Sequence, residues 1–85
     1  MIAASIKHVN GTATVTPDTL IIGVGAISFL VDNRGSNDLL VSFDKGNEFK
    51  TIGAGLVLSF DVVVSQLTIK SSAGSVNYEI LVGIL

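Results

Sequence analysis

The feature that most constrains this chain is the alternation of apolar and polar residues along most of its length. Successive side chains of a strand point to opposite faces, so each alternating run predicts a strand with one buried face. The apolar members of the five clearest runs are Ile27, Phe29, Val31; Leu39, Val41, Phe43; Leu58, Phe60, Val62, Val64; Leu67, Ile69; and Val76, Tyr78, Ile80, Val82. No stretch of similar length shows the 3.6-residue period of an amphipathic helix. The pattern predicts an all-β chain.

Turn signals separate these runs at short intervals. Asn10-Gly11 predicts a two-residue hairpin turn, and Pro17 ends the strand before it because proline cannot donate to a ladder. Further turns are predicted at residues 33–37, 44–47, 53–55 and 71–74. Many short strands with frequent turns are typical of a small antiparallel sandwich or jelly-roll-like barrel, here of about seven or eight strands.

The length of 85 residues predicts one domain over 1–85, in which residues 1–25 are a candidate N-terminal arm or pair of subunit-linking strands. A domain this small has a modest core, and such domains are often stabilised by disulfides, metals or oligomerisation. The chain has no cysteine and a single histidine, His8. Oligomerisation is therefore the expected compensation.

Composition and charge argue against nucleic-acid and membrane partners. The net charge of −2 provides no basic field for nucleic acid. The longest uncharged apolar run, residues 19–31, is shorter than the roughly 20 residues of a spanning helix. The N-terminus lacks the basic start and long apolar core of a signal peptide. We expect synthesis in the cytoplasm without export by the general secretory route.

Apolar residues on the predicted outward faces indicate an interface. Hydrophobic residues make up 48% of the chain and charged residues only 14%, against a usual charged share of about 25%. The candidate interface residues are Leu30, Leu40, Phe49, Val57, Val63, Leu81, Ile84 and Leu85. Isolated surface hydrophobes are also normal, but the low charge favours self-association as a trimer or another closed oligomer. Phe49, between Glu48 and Lys50, is the most plausible aromatic anchor.

The residue types needed for catalysis are scarce. His8 is the only imidazole base, and no Gly-x-Ser-x-Gly nucleophile motif is present. Gly23-x-Gly25 lacks the third glycine or the Lys-Ser/Thr pair of a phosphate loop. We therefore predict no catalytic residues, no cofactor and no enzymatic activity.

The acidic residues offer one loose calcium-like constellation, formed by Asp44, Asn47 and Glu48. It has fewer oxygen ligands than a true calcium loop. Asp and Asn also stabilise turns through their own side chains, which is the favoured interpretation. The sequence predicts no metal site.

The stretch from Val31 to Ile80 resembles small virion proteins of tailed bacteriophages. The resemblance lies in a strand ending at Asn33, the polar segment 35–38, the segment 41–46 (Val-Ser-Phe-Asp-Lys-Gly) and a closing strand through Tyr78. It implies a capsid decoration or cement subunit located in the virion, with the major capsid protein or another virion protein as partner. Neck, tail or baseplate components are the alternatives, and a glycan- or host-surface-binding module ranks below them.

Overall fold

The structure, a computed structural model, describes residues 4–85, which form eight β-strands. The strands are β1 (Ser5–Ala13), β2 (Asp18–Ile21), β3 (Ala26–Asn33), β4 (Leu39–Ser42), β5 (Lys50–Ile52), β6 (Val57–Asp61), β7 (Gln66–Ser71) and β8 (Val76–Ile84). They pair antiparallel in two four-stranded sheets, ordered β1-β8-β3-β6 and β2-β7-β4-β5. Within the described residues no helix is long and apolar enough to cross a membrane.

The strand order is that of a jelly roll. The chain passes from one sheet to the other at each of its first three connections, and β4 and β5 form a hairpin in the second sheet before the path returns. Every central strand therefore has at least one partner that is distant in sequence, as in the doubled Greek keys of this architecture. The predicted fold class, an all-β antiparallel sandwich or jelly-roll-like barrel of about seven or eight strands, is confirmed.

The core lies between the two sheets and uses the apolar faces predicted from the alternation. The first sheet contributes Phe29, Val31, Ile80 and Val82, and the second Leu39, Val41, Leu67 and Ile69, all almost fully buried. The ring of Phe43 joins the sheets, since its centroid lies 5.3 Å from that of Phe29 and 5.0 Å from that of Phe60. Such tilted aromatic pairs add to the stability gained by burial.

The predicted hairpin at Asn10-Gly11 is wrong. Residues 5–13 form one continuous strand, in which Asn10 pairs with Glu79 and Gly11 with Tyr78. A Cβ atom on Gly11 would lie 2.7 Å from the Tyr78 hydroxyl. The close approach of the buried tyrosine ring therefore leaves no room for a side chain at position 11. This is why an Asn-Gly pair, which usually marks a turn, lies inside a strand here.

Five residues predicted on buried faces are only partly covered, namely Phe43, Leu58, Phe60, Val62 and Val64. Leu58 is 40% exposed because β6 is an edge strand, and Phe43, at the end of β4, is half-buried. The alternation indicates the correct face in both cases. It does not indicate how close a strand lies to the edge of its sheet.

The N-terminal segment considered as an arm pairs within the chain. β1 lies along β8, from Ser5 opposite Ile84 to Ala13 opposite Val76, and β2 lies along β7. An exchange of this segment between subunits stays a prediction, and Ile2 and Ala3 lie outside the described residues. β8, flanked by β1 and β3, is a central strand.

Candidate interaction surface

The space between the sheets is filled by apolar side chains and does not suit a metal ion or polar ligand. The buried polar side chains within residues 4–85 are Asn33, Ser42, Thr68 and Ser71. None of them is ionisable in the physiological range, and no cluster of three His, Cys, Asp or Glu side chains suited to a metal occurs in the described part of the chain. Chemistry that needs a charged group inside the barrel is not supported by these residues.

The outer face of the β1-β8-β3-β6 sheet carries an apolar ridge. Leu30 of β3 lies directly opposite Leu81 of β8, and the two side chains are 39% and 40% exposed. Ile6, on β1, and Val57, on β6, flank them and are more exposed still. We call Ile6, Leu30, Val57 and Leu81 the outer patch. Four apolar side chains gathered on one sheet face are more than the scattered hydrophobes of an ordinary surface.

Two shallow grooves run beside the ridge. One, of about 250 Å³, lies between Ile6, Leu30 and Leu81 and passes over the small residues Ser28 and Gly83. The other, of about 320 Å³, lies between the ridge and Val57. A ridge between two grooves is a shape into which another protein surface can interlock.

A charged network borders the outer patch on one side. The Nε of Arg34 lies 3.1 Å from Oδ2 of Asp32 and 3.0 Å from Oε2 of Glu79, and Nε2 of His8 lies 3.6 Å from Oε1 of Glu79. The hydrogen bond to Asp32, followed by the charges of Glu79 and Asp32, raises the pKa of Arg34. The patch therefore has an apolar centre and a polar rim, the usual anatomy of a protein interface. His8, the single histidine, lies in this rim.

The predicted interface residues fall in three separate places. Leu30, Val57 and Leu81 come together in the outer patch. Leu40 and Phe49 belong to the second sheet and its β4–β5 connection, where Nζ of Lys70 lies 4.4 Å from the centroid of the Phe49 ring. A cation over its face covers part of this aromatic side chain, so Phe49 is a half-buried residue and not a projecting one.

The remaining candidates lie at one end of the barrel. Val63 is in the β6–β7 connection, and Ile84 and Leu85 close the chain. The β2–β3 connection brings these segments together, because the carbonyl of Ser65 accepts from the amides of residues 22 and 23, and the carbonyl of residue 25 accepts from the Leu85 amide. Leu85 and Val63 are exposed, whereas Ile84 packs against the core.

Ile6 belongs to the outer patch but is not among the interface residues predicted from the sequence. It is the one large apolar residue among the outward positions of β1, where His8, Asn10 and Thr12 are polar. Only the pairing of β1 with β8, which places Ile6 opposite Gly83, connects it to the leucine ridge. An isolated apolar residue on a polar face is too weak a signal to predict this position from the sequence.

The calcium-like constellation is a hydrogen-bonded turn. Oδ1 of Asp44 accepts from the Ser42 hydroxyl at 2.6 Å and from the Glu48 amide at 2.9 Å. Nδ2 of Asn47 donates to the Asp44 carbonyl. These bonds, that from Ser42 foremost and that from Glu48 next, lower the pKa of Asp44. The carboxylate is engaged in closing the turn, as the favoured interpretation of the sequence expects.

No family model matches the sequence, and no curated protein matches it. Solved structures do match in fold. The Cupin_2 domain of an XRE family transcriptional regulator from Enterobacter cloacae has 16% identity and a TM-score of 0.68, over 94% of this chain and 82% of that one. RmlC from Streptococcus suis, solved with dTDP-D-xylose, has 11% identity and a TM-score of 0.62, over 94% of this chain and 44% of that one.

A third structure is that of Bacillus endospore appendages, described as disulfide-linked pili. It has 13% identity and a TM-score of 0.55, over 95% of this chain and 87% of that one. This chain therefore has a cupin-type jelly-roll fold and spans less than half the length of RmlC. Identities this low indicate the fold alone, because one fold serves many functions.

The expected role as a phage capsid decoration protein is wrong, as are its neck, tail and baseplate alternatives. The structures that this chain resembles include cupin domains, two of which match over 94% of the chain. The resemblance that suggested a virion protein consisted of a rhythm of strands and turns. Since any eight-stranded jelly roll of this size produces such a rhythm, it could not distinguish virion proteins from other members of the architecture.

Proposed function

We propose that this protein is a cupin-type module without enzymatic activity that functions by binding, and that it binds further copies of itself through the outer patch. The observation that carries the proposal is the leucine ridge of Leu30 and Leu81, exposed at the centre of a sheet face. Burial of such a face between subunits stabilises the assembly by roughly 25 cal/mol for each Å² of apolar area removed from water.

The interior of the barrel supports the non-enzymatic part of the proposal. RmlC was solved with dTDP-D-xylose. In this chain the space between the sheets is occupied by Phe29, Phe43, Phe60 and the aliphatic core. General acid–base chemistry needs a titratable group beside a substrate site. The buried polar side chains among the described residues are hydroxyls and an amide, and no fully buried N or O atom of these side chains lacks a hydrogen-bond partner.

The polar rim supports the self-association part. Arg34, Asp32, Glu79 and His8 form a network of both signs along one border of the outer patch. Mixed charges at a rim set the register of an interface and add little affinity of their own. The endospore appendage structure is named as a pilus, so a jelly roll of this size does serve as an assembly unit in at least one protein. A closed oligomer such as a trimer is the form proposed for this chain.

The experiment compares the oligomeric state of the wild type with that of Leu81→Lys, measured by sedimentation velocity from low micromolar to high micromolar concentration. Lysine at the ridge would place a charge in the centre of the contact, so the variant should associate more weakly than the wild type and form a smaller species at each concentration. Val15→Lys is the matched control, since Val15 is an equally apolar exposed residue in the β1–β2 connection, away from the patch.

Val15→Lys should associate as the wild type does. A wild type that remains monomeric throughout this range contradicts the proposal, as does a Leu81→Lys variant that associates with unchanged affinity. Circular dichroism of each variant verifies that the strands are intact.

A further inference from the structure

We propose that the free edge of β6 pairs with β6 of a second copy, so that two four-stranded sheets join into one eight-stranded sheet. The inference rests on the proposed self-association and adds a second contact, made by backbone hydrogen bonds and not by the outer patch. β6, Val57–Asp61, pairs with β3 alone among the described residues and ends the order of its sheet.

The hydrogen bonds of β6 reveal which of its backbone groups are available. The Asn33 amide donates to the Leu56 carbonyl, and the Val62 amide donates to the Ile27 carbonyl. Partners alternate in an antiparallel ladder, so Leu58 and Phe60 direct their amides and carbonyls toward β3. The backbone groups of Val57, Ser59 and Asp61 therefore point away from the sheet.

β6 also lacks the devices that usually protect an edge strand. Proteins block exposed edges with lysine, proline, a very short strand or a covering loop. The other three edges have such features: Lys7 and His8 on β1, Pro17 before β2, and only three residues, the first of them Lys50, in β5. Between Lys50 and Lys70 the single charged side chain is Asp61. Every residue of β6 except Phe60 is exposed.

The sequence around β6 is complementary to itself, which identifies a second copy as the occupant. Antiparallel pairing about a two-fold axis at Phe60 places Ser59 opposite Asp61, Leu58 opposite Val62 and Val57 opposite Val63. Polar residues then face polar ones and apolar residues face apolar ones. The two Asp61 carboxylates lie on opposite sides of the axis, each beside a serine hydroxyl. A two-fold contact of this kind uses the same edge of both subunits and closes on itself.

The pairing gives the outer patch a continuation. Val57 belongs both to β6 and to the outer patch. When two β6 strands pair, the outer faces of the two sheets become one surface, with a leucine ridge on each side of the junction. Edge pairing and association through the patch are therefore compatible in one assembly.

The test is amide hydrogen exchange of the wild type, resolved by residue with NMR, at a concentration where sedimentation shows an oligomer. The amides of Val57, Ser59 and Asp61 should exchange at least tenfold more slowly in the oligomer than in the dissociated protein. The amides of Leu58 and Phe60, which already bond to β3, should be protected in both states.

Ser59→Pro provides the second measurement. Proline is tolerated on an edge strand whose amide faces solvent, so the variant should keep the fold but lose the edge contact and form a smaller oligomer. Ser59→Ala, which retains the amide, is the matched control and should behave as the wild type. Protection of the β3 amides in Ser59→Pro verifies that the sheet is intact.

The outcomes separate the two proposals. An oligomer in which the Val57, Ser59 and Asp61 amides exchange as rapidly as in the monomer overturns edge pairing and leaves association through the outer patch standing. An oligomer lost with Ser59→Pro but retained by Leu81→Lys supports edge pairing and contradicts the outer patch. A wild type that stays monomeric at all concentrations overturns both.

Discussion

At the scale of single residues, the structure assigns roles that the residue types alone do not suggest. Asn33 is fully buried, and its side-chain amide donates to the carbonyls of Asn37 and Ile52 at 2.9 and 2.8 Å, while its Oδ1 accepts from the Gly35 amide. One asparagine thus satisfies three backbone groups that lie on β5 and the β3–β4 loop. The sequence alone assigns the same residue only to a turn.

Tyr78 and Gly11 are a second example of roles that the residue types do not suggest. The energetic coupling between these two residues can be measured. Burial, with a smaller contribution from Asp18, raises the pKa of the Tyr78 phenol, and the ring lies across Gly11. Gly11→Ala should destabilise the protein by about 1–3 kcal/mol, because the added methyl group cannot fit without displacing a buried ring. Urea unfolding of the variant would measure this loss.

The control is the double-mutant cycle with Tyr78→Phe, which removes the hydroxyl nearest to the added carbon. Alanine at position 11 should cost less in the Tyr78→Phe background than in the wild type, with a coupling energy of at least about 0.5 kcal/mol. Strict additivity of the two changes would contradict the assigned contact between Gly11 and the Tyr78 hydroxyl.

At the scale of elements, the alternation pattern is a sound guide to strands and buried faces but not to their pairing. The runs ending at Val31, Val41 and Ile69 bury the faces that the sequence indicates. The pairing of β1 with β8 joins residues more than sixty positions apart, and no local pattern encodes it. The same limit explains the missed residue Ile6, since its membership in the outer patch depends on that long-range register.

The 42–48 turn is an element whose stability should depend on pH. Because hydrogen bonds from Ser42 and Glu48 lower the pKa of Asp44 below its ordinary value of 3.8, the ionised carboxylate is favoured in the folded state. Its contribution is fully present above the ordinary value and is lost as the pH falls through the folded-state pKa. Asp44→Ala should therefore melt at a lower temperature than the wild type at pH 7, and the two melting temperatures should converge below pH 3.8.

Asp38→Ala is the control for this pH dependence, since it removes an exposed loop carboxylate without touching the turn. Thermal melts followed by circular dichroism from pH 7 downward would measure both variants. A difference between wild type and Asp44→Ala that persists unchanged in acid would mean that the variant destabilises the turn through something other than the charged carboxylate.

At the scale of the whole molecule, a core this small must be supplemented. The chain has no disulfide, and its central strands β3, β4, β7 and β8 supply most of the buried apolar residues. The exposed apolar residues instead concentrate on the outer patch, on β6 and at the barrel end formed by Val24, Val63 and Leu85. The arrangement places unused apolar surface where a second subunit can cover it, which is the expected solution for a domain of 85 residues.

If subunits stabilise one another, the melting temperature must depend on protein concentration. Association that occurs only in the folded state stabilises that state by mass action. A hundredfold rise in protein concentration adds about 2.7 kcal/mol to the free energy of unfolding of the oligomer. Shared between the subunits of a dimer, this is about 1.4 kcal/mol per subunit, which corresponds to a rise in melting temperature of about 5–11 °C for a domain of this size. The wild type should show that rise between about 1 and 100 μM. Leu81→Lys combined with Ser59→Pro should melt at the same temperature at every concentration, because the variant removes both proposed contacts.

Differential scanning calorimetry measures the melting temperatures of the wild type and of this double variant. A wild-type melting temperature that is independent of concentration would mean that the subunits fold and persist alone.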